Sequence, residues 1–451
     1  MCCSDRKRKT LALLLALSLT RGILYSAITP PWQAPDEPGH FQYAAFLVRY
    51  HRFPTRQDFA AEECLQTQVY VSMQKSDFWA RRAHTLAPAA LEKEYRAAVG
   101  HPPLYYLLGA LLLAPFSRCD LVTQLHVLRL GSALLGTLTV LVAYLTAQAL
   151  FPEDAPWQLA VPAFVAFLPM HTFITSSVNN DSLAELLASL VIYSLLRILK
   201  AGPSTESILS KAGGLRTGLS WRRVVSIACL LASGLLTKRT TTFAIPLAAL
   251  TLLLYCLRAK RRQLYIWLFL ASVIGLSLWT LTRVPSYYLR LLEPQRYAPV
   301  ALKTYVLFFL LTFASFWANF GWMNVPLDLS WYAALAVFSL LALCGLGLFA
   351  ARIVRETETL ETWQKRALLT LLLAVVLIFA QTFGLMIVQG IPQQGRYLFP
   401  ALIPLAMFFT LGLREWVPAR QRSIFPLALV LGMFVLDSAS LCCYIIPHFY
   451  G

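Results

Sequence analysis

The chain has 451 residues, of which 58% are hydrophobic and 14% are charged, and its mean hydropathy is +0.60. Soluble domains carry about 25% charged residues, so this composition excludes an ordinary soluble protein and predicts an integral membrane protein. The net charge of +17 comes from short basic clusters between apolar runs. Such clusters orient membrane proteins, and their distribution argues against nucleic acid as a partner.

The N-terminal sequence predicts an uncleaved first membrane span over residues 10–29, because its apolar run is long and its cleavage context is weak. Basic residues precede this run and mark the cytoplasmic side. The span therefore delivers the chain to the extracytoplasmic face. We predict that residues 30–124 form a long first extracytoplasmic loop with interfacial helices. Its apolar stretch 102–116 is short for a full span.

The acids of "PPWQAPDEPGHFQYA" (30–44) lie directly after the first span, between prolines that hold the backbone extended or turned. Ionisable groups at a membrane are costly and often functional. We interpret Asp36 and Glu37 as catalytic candidates, with Asp36 as a general base. His40 is a substrate-binding candidate that could orient a carboxylate or touch a phosphate. The alternative is a solvated acid pair, and for Glu37 a structural role or a pairing with His40 stays open.

The remaining sequence predicts an all-α, polytopic membrane protein with about 10–13 transmembrane helices, in which residues 1–451 form one membrane-embedded unit. A helix of about 20 apolar residues crosses the hydrocarbon, which leaves 304–318 ambiguous. Residues 201–222, rich in Gly and Ser, predict a cytoplasmic loop. The apolar runs lie at 126–150, 158–177, 182–199, 224–237, 241–257, 264–282, 304–318, 331–351, 367–389, 397–413 and 424–446.

A second polar site, "SSVNNDSLAELLASL" (176–190), emerges on the same outer face by the parity of the spans. Asn180 and Asp181 are substrate-binding candidates there. A helix N-cap is the structural alternative. Glu185 lies one turn after Asp181 on the same helix face, so we expect this cluster to approach the first acidic site.

Cationic and aromatic candidates are expected at the same face. Lys238 lies in "GLLTKRTTTFAIP", Arg396 and Tyr397 lie in "QGIPQQGRYLFP", and His101 opens "HPPLYY". Each alone fits an interfacial snorkelling residue. Together they would place cations beside acids at the extracytoplasmic face. The positive-inside pattern leaves this face poor in cations. We predict that all four residues contact substrate.

Acids and cations at an outer membrane face suit sugar transfer from a lipid phosphate. Cations stabilise the departing phosphate, and a carboxylate takes the proton of the attacking hydroxyl, which is worth roughly 10²–10⁴-fold in rate. A nucleophilic Ser or Cys is not needed, and the sequence has no such arrangement.

The ordered motifs resemble those of GT-C glycosyltransferases, polytopic enzymes that use polyprenyl-phosphate sugars. The full set is most similar to a bacterial family of predicted GT-C-like membrane proteins. The resemblance covers nearly the whole chain. The motifs that carry it are "APDEPGHF" (34–41), "HPPLYYLL" (101–108), "SVNNDSLAELLA" (177–188), "GLLTKRTTTFAIP" (234–246), "SFWANFGWMNVPL" (315–327) and "QGRYLFPALIPL" (394–405).

This resemblance implies a GT-C-type fold and an inverting glycosyltransferase of the bacterial plasma membrane whose active site faces outward. The donor would be a polyprenyl-phosphate sugar, and the acceptor a hydroxyl on a glycan, lipid or protein. Asp36 would be the base and Asp181 a second-site acid. His101, Lys238 and Arg396 would contact the lipid phosphate, and His101 only as far as its protonation allows.

No metal ligands are predicted. The second site reads Asn-Asn-Asp where oligosaccharyltransferases have Asp-x-Asp or Glu-x-Asp, which weakens a metal role and leaves a divalent cation open as a cofactor. Two other functions also stay open. A transporter or flippase for an anionic lipid-linked precursor would place polar residues near mid-membrane and show two related halves. A non-catalytic GT-C-like scaffold subunit would keep the fold without the chemistry.

Overall fold

The structure is a computed structural model that describes residues 2–55, 58, 63–79, 98–152, 154–201, 221–256, 302–355, 360–389 and 394–451. These residues are almost entirely helical. The α-helices are α1 Cys2–Ile28, α2 Glu37–Tyr50, α3 Glu63–Lys75, α4 Leu104–Leu113, α5 Leu121–Leu150, α6 Ala155–Ala166, α7 Pro169–Thr175, α8 Asp181–Ala201, α9 Trp221–Leu235, α10 Ala244–Cys256, α11 Leu302–Trp317, α12 Leu329–Val354, α13 Thr362–Gln389, α14 Leu402–Glu415, α15 Phe425–Ala439 and α16 Ile446–Tyr450.

Short elements connect several of these helices. A two-stranded antiparallel hairpin, β1 and β2, follows α11 and pairs Asn319–Phe320 with Val325–Pro326. A π-helical turn, Ser440–Ile445, joins α15 to α16. The 3₁₀ helices are Ala114–Phe116, Arg239–Phe243, Gly395–Ala401 and Ala419–Gln421.

Seven helical segments in the described part of the chain are long and apolar enough to cross a membrane. This confirms a multi-pass, all-α membrane protein. The total of 10–13 spans stays a prediction, because the predicted span 264–282 lies outside the described residues, as does most of the predicted cytoplasmic loop 201–222. The seven segments are Arg8–Ile28, Leu121–Leu150, Asp181–Ala201, Leu329–Val354, Thr362–Ile387, Gly395–Glu415 and Phe425–Tyr450.

The apolar run at 158–177 forms two helices rather than one. Trp157–Ala166 and Pro169–Thr175 meet at an angle of 60°. Pro169 explains the break, because a proline disfavours helical backbone in the residue before it and has no N–H to donate to the preceding turn. The second of these helices, α7, leads directly into the polar segment before α8.

The stretch predicted to be too short for a span is indeed short. Helix α4 and the following 3₁₀ turn cover Leu104–Phe116, about 20 Å of helix against a hydrocarbon thickness of about 30 Å. This segment packs on α2 and α5. Leu302–Trp317, on the ambiguous run near 304–318, is also short of a full span.

The first loop has its own apolar core, which joins it to the ends of α5 and α8. Trp32, Phe41, Phe78 and Tyr106 are fully buried in this core. A larger core fills the space among α5 to α8 and α11 to α15. The polar site lies where the loop core and the larger core adjoin.

Candidate active site

Four charged residues from distant segments meet at helix ends. Asp36 follows α1, Asp181 begins α8, Lys238 precedes the 3₁₀ helix after α9, and Arg396 lies in the 3₁₀ turn before α14. Arg396 Nη2 donates to Asp36 Oδ2, and Arg396 Nη1 lies 3.9 Å from Asp181 Oδ2. Lys238 Nζ donates to Asp181 Oδ1 at 2.6 Å. The four side chains form a row of alternating charge, which we call the charge row.

Exposure differs sharply along the charge row. The side chains of Arg396, Asp181 and Lys238 are 1%, 4% and 9% exposed, whereas that of Asp36 is 37% exposed. The three buried groups are held by one another. Asp36 is the most exposed member of the row, and Arg396 is the partner of its carboxylate.

The backbone at Asp36 adopts a left-handed conformation, with φ 62° and ψ 0°, directly before α2. Asp and Asn tolerate this region better than most residues. Burial raises the pKa of the Asp36 carboxyl, but the charge of Arg396 and its hydrogen bond to the carboxylate outweigh burial and lower the pKa to about 2. Asp36 is therefore ionised at neutral pH.

Tyr397 lies beside both cations. Its ring centroid is 5.4 Å from Arg396 Cζ and 5.6 Å from Lys238 Nζ, within the range of cation–π attraction. The ring adds contact to both side chains while leaving their N–H groups able to donate elsewhere. Tyr397 thus lies against both cations of the charge row.

Glu37 points away from the charge row into a fully buried pair with Arg129. Arg129 Nε and Nη2 donate to the two carboxylate oxygens at 2.8 and 2.6 Å, and neither side chain is exposed. Glu37 Oε1 also accepts from Val178 N at 3.1 Å. This geometry favours the structural role left open for Glu37 over a catalytic one. Arg129 further donates to the carbonyl oxygens of Ser26, Thr29 and Pro30.

Arg129 is a residue that the sequence analysis missed. The signal was present, since Arg129 is the lone Lys or Arg in the 30 residues of α5 and an ion in a span is costly unless paired. Arg129 lies on α5 and contacts both the end of α1 and Glu37, the residue after Asp36. It therefore fixes the backbone that carries Asp36.

The two candidate histidines lie near each other and near Asp36. Their ring centroids are 5.6 Å apart, and His40 Nδ1 is 2.7 Å from Tyr106 Oη, so His40 pairs with Tyr106 rather than with Glu37. Burial and neighbouring charges lower the pKa of both histidines, that of His101 to about 4. At neutral pH the ring of His101 is therefore neutral and not a cation.

The two asparagines of the Asn-Asn-Asp sequence make different contacts. Asn179 Oδ1 accepts from Asp181 N at 2.9 Å, so Asn179 supports the start of α8 in the way expected of a cap. Asn180 Nδ2 donates to the carbonyl oxygen of Thr237 at 3.4 Å. Asn180 therefore ties the start of α8 to the turn that carries Lys238.

Within the cluster 176–190, Asp181 approaches Asp36 through Arg396, whereas Glu185 pairs with a histidine of α7. Its Oε1 lies 3.1 Å from His171 Nε2 in α7, and both side chains are buried. The ring of His171 also packs edge-on against Phe399, whose 3₁₀ turn carries Arg396. The pair connects α7, α8 and this turn. His171 was not a candidate from sequence, because a single histidine in an apolar run gives little signal.

The part of the chain that the structure describes does not offer a site for a divalent cation. Among the described residues no group of three or more His, Cys, Asp and Glu side chains is arranged to hold a metal. The two carboxylates best placed to ligate one, Asp36 and Asp181, contact Arg396 and Lys238 instead.

The fold is that of a polytopic, all-α membrane protein with a row of ionisable residues at its helix ends. The chain belongs to the family described as Predicted membrane protein (DUF2142), which matches residues 19–406. No curated protein matches the chain in sequence.

Two solved structures resemble this fold. The apo oligosaccharyltransferase of Archaeoglobus fulgidus aligns with a TM-score of 0.52 and 11% identity, over 96% of this chain and 56% of that one. ArnT of Cupriavidus metallidurans, solved with undecaprenyl phosphate, aligns with a TM-score of 0.43 and 14% identity, over 95% and 64%. This chain therefore spans less than two thirds of either protein. The first likeness establishes the GT-C fold alone.

Proposed function

We propose that the protein is an inverting glycosyltransferase that moves a sugar from a polyprenyl-phosphate donor to a hydroxyl of a glycan, lipid or protein acceptor. The observation that carries this proposal is the charge row, which brings two carboxylates and two cations from four distant segments to one group of helix ends. The GT-C fold supports the proposal, because this fold belongs to the class of enzyme that the sequence motifs predicted.

The cations of the charge row would receive the donor phosphate. Arg396 and Lys238 lie on either side of Asp181 and share the ring of Tyr397. As the bond between the anomeric carbon and the phosphate oxygen breaks, the leaving phosphate takes the electron pair. Fixed cations in a site shielded from water stabilise that developing charge.

Asp36 would take the proton of the acceptor. Its carboxylate is the exposed end of the charge row, and its present partner is Arg396. A phosphate that draws Arg396 toward itself removes the charge that depresses the pKa of Asp36. Asp36 then becomes a stronger base as the hydroxyl oxygen attacks the anomeric carbon from the side opposite the phosphate.

The distribution of basic residues supports an outward-facing site in a bacterial plasma membrane. Helices α8 and α14 run away from the charge row, and α9 runs toward it. Basic residues lie at the far ends of these helices, as the positive-inside rule expects of the cytoplasmic side. They are Arg197, Lys200, Arg222, Arg223 and Arg414.

The test is transfer by the purified full-length protein with a panel of radiolabelled polyprenyl-phosphate sugars and membrane glycan acceptors. We expect Asp36→Asn to lower transfer by about 10²–10⁴-fold, the contribution of a general base. Asn suits the left-handed backbone at this position and keeps an oxygen that can accept from Arg396, so the variant should fold, which thermal unfolding checks.

Asp120→Asn is the matched control. Asp120 is an exposed acid of the same predicted loop that accepts from Val122 N and Thr123 N, both at 3.0 Å, and Asn caps helices as well as Asp does. Its variant should transfer as the wild type does. Full activity of Asp36→Asn would remove Asp36 from the role of base. A folded wild type that transfers no member of the panel would favour the scaffold alternative.

A further inference from the structure

A cavity of about 510 Å³ lies far from the charge row, between the end of α5, the end of α8 and the start of α9. Three cationic side chains line it, Arg197 and Lys200 from α8 and Arg223 from α9. Gln148 and Tyr193 add polar groups, and Leu145 adds apolar surface. Among the residues that the structure describes, no acidic side chain lines the cavity.

The length of α8 separates the cavity from the charge row by about the thickness of a bilayer's hydrocarbon. Lys200 is 19 residues after Asp181 on the same helix, which is about 28 Å along the axis. The hydrocarbon of a bilayer is about 30 Å thick. If Asp181 lies at one membrane surface, Lys200 and the cavity lie at the other.

The three cations lack the carboxylate partners that other basic residues have at this end of the molecule. Arg414 Nη2 lies 3.1 Å from Asp154 Oδ2, and Arg352 Nη1 lies 2.7 Å from Glu415 Oε2. Within the described residues, no such ion pair forms at Arg197, Lys200 or Arg223. Their positive charge is therefore available to an anion from outside the chain.

Two of the cations are held in place at the rim of the cavity. Arg197 Nη1 donates to Tyr193 Oη at 3.1 Å. Lys200 Nζ donates to the carbonyl oxygen of Ala149 at 2.9 Å and lies 5.2 Å from the ring centroid of Trp363. Each of these contacts uses one N–H group, so both side chains keep further donors for a ligand.

We propose that this cavity binds the phosphate headgroup of an anionic phospholipid in the leaflet opposite Asp36. Basic pockets between transmembrane helices suit such headgroups, and Leu145 gives the cavity an apolar wall that an acyl chain can follow. A soluble anion would gain nothing from that wall. The proposal does not depend on the glycosyltransferase function, so either can fail without the other.

The test measures lipid binding to the full-length protein in a neutral detergent by native mass spectrometry, with phosphatidylglycerol, phosphatidylcholine and inorganic phosphate as probes. Each Lys or Arg near a membrane surface is worth about fivefold in affinity for anionic lipid. We expect the triple variant R197Q/K200Q/R223Q to bind phosphatidylglycerol on the order of 100-fold more weakly.

Arg222→Gln is the matched control, because Arg222 is an exposed arginine that adjoins Arg223 but does not line the cavity. It should bind phosphatidylglycerol as the wild type does. Wild-type binding by the triple variant would overturn the proposal, as would equal affinity for phosphatidylcholine or displacement of the lipid by inorganic phosphate. If the triple variant does not fold, R223Q alone should lose about fivefold in affinity.

Discussion

Two neighbouring acids, Asp36 and Glu37, lie in different environments. Asp36 is 37% exposed and pairs with Arg396, whereas Glu37 is fully buried and pairs with Arg129. The sequence could place both acids beside the end of the first span. It could not tell them apart, because their partners lie 360 and 92 residues away in the chain. The left-handed turn at Asp36 helps to send the two side chains in different directions.

Replacing Arg129 by methionine should destabilise the protein severely. The change leaves the Glu37 carboxylate buried without its cation and removes the donors to three carbonyl oxygens at the end of α1. Breaking a buried ion pair in this way costs about 3–5 kcal/mol. Thermal unfolding in detergent measures the loss.

Arg118→Met serves as the comparison, because Arg118 is exposed and a surface change of this kind is usually within about 0.5 kcal/mol. The double variant E37Q/R129M should recover part of the stability, since it buries no unpaired charge. Unfolding of R129M at the wild-type temperature would show that the pair does not hold the loop.

At the scale of elements, the 3₁₀ turn before α14 depends on a close approach to α11. Gly395 N donates to Ser315 Oγ at 2.7 Å. A Cβ atom at Gly395 would collide with the backbone of Thr312 and Phe316. Only glycine lets the two segments pack this closely, and Arg396 is the next residue. The packing of α11 therefore sets the position of one cation of the charge row.

Gly395→Ala should displace Arg396 and reduce transfer. A shift of about 1 Å in a reacting group can cost about 100-fold in rate. The measurement is the transfer rate of the folded variant. Gly384→Ala is the control, because nothing lies within 4 Å of a Cβ there and alanine in a helix interior is favourable by roughly 0.5–1 kcal/mol. Equal transfer rates for the two variants would contradict this role of Gly395.

The bend between α6 and α7 is a feature that the hydrophobic pattern of the sequence does not predict. Residues 158–177 form one hydrophobic run in sequence, and Pro169 was the local signal for a break. Hydrophobicity determines that a segment lies in the membrane, but the angle between its halves depends on packing against neighbouring helices.

At the scale of the whole molecule, the sequence predicted which charged residues share one face better than it predicted the buried residues that hold them in place. Residues at the ends of alternating spans must emerge at one of two faces, so Asp36, Asp181, Lys238 and Arg396 could be assigned to the same one. Arg129 and His171 lie inside apolar runs, where a single polar residue does not reveal its partner. Their roles required the packing of α5, α7 and α8.

The orientation of the molecule can be tested with cysteines. Cys119 is exposed in the predicted extracytoplasmic loop, and Arg355 is exposed at the end of α12. In a background without other cysteines, a membrane-impermeant maleimide should label Cys119 in intact cells. A cysteine introduced by R355C should react only after permeabilisation. The reverse pattern would place Asp36 on the cytoplasmic side and contradict an outward-facing site.

The charge row also implies an order of events for the proposed reaction. Two carboxylates and two cations balance one another, so before a donor arrives the row is self-neutralised and Asp36 is masked by Arg396. An anionic donor that recruits Arg396 unmasks the base. Binding of donor and acceptor would then be mutually reinforcing, and the acceptor hydroxyl would be activated only while the lipid-linked sugar is bound.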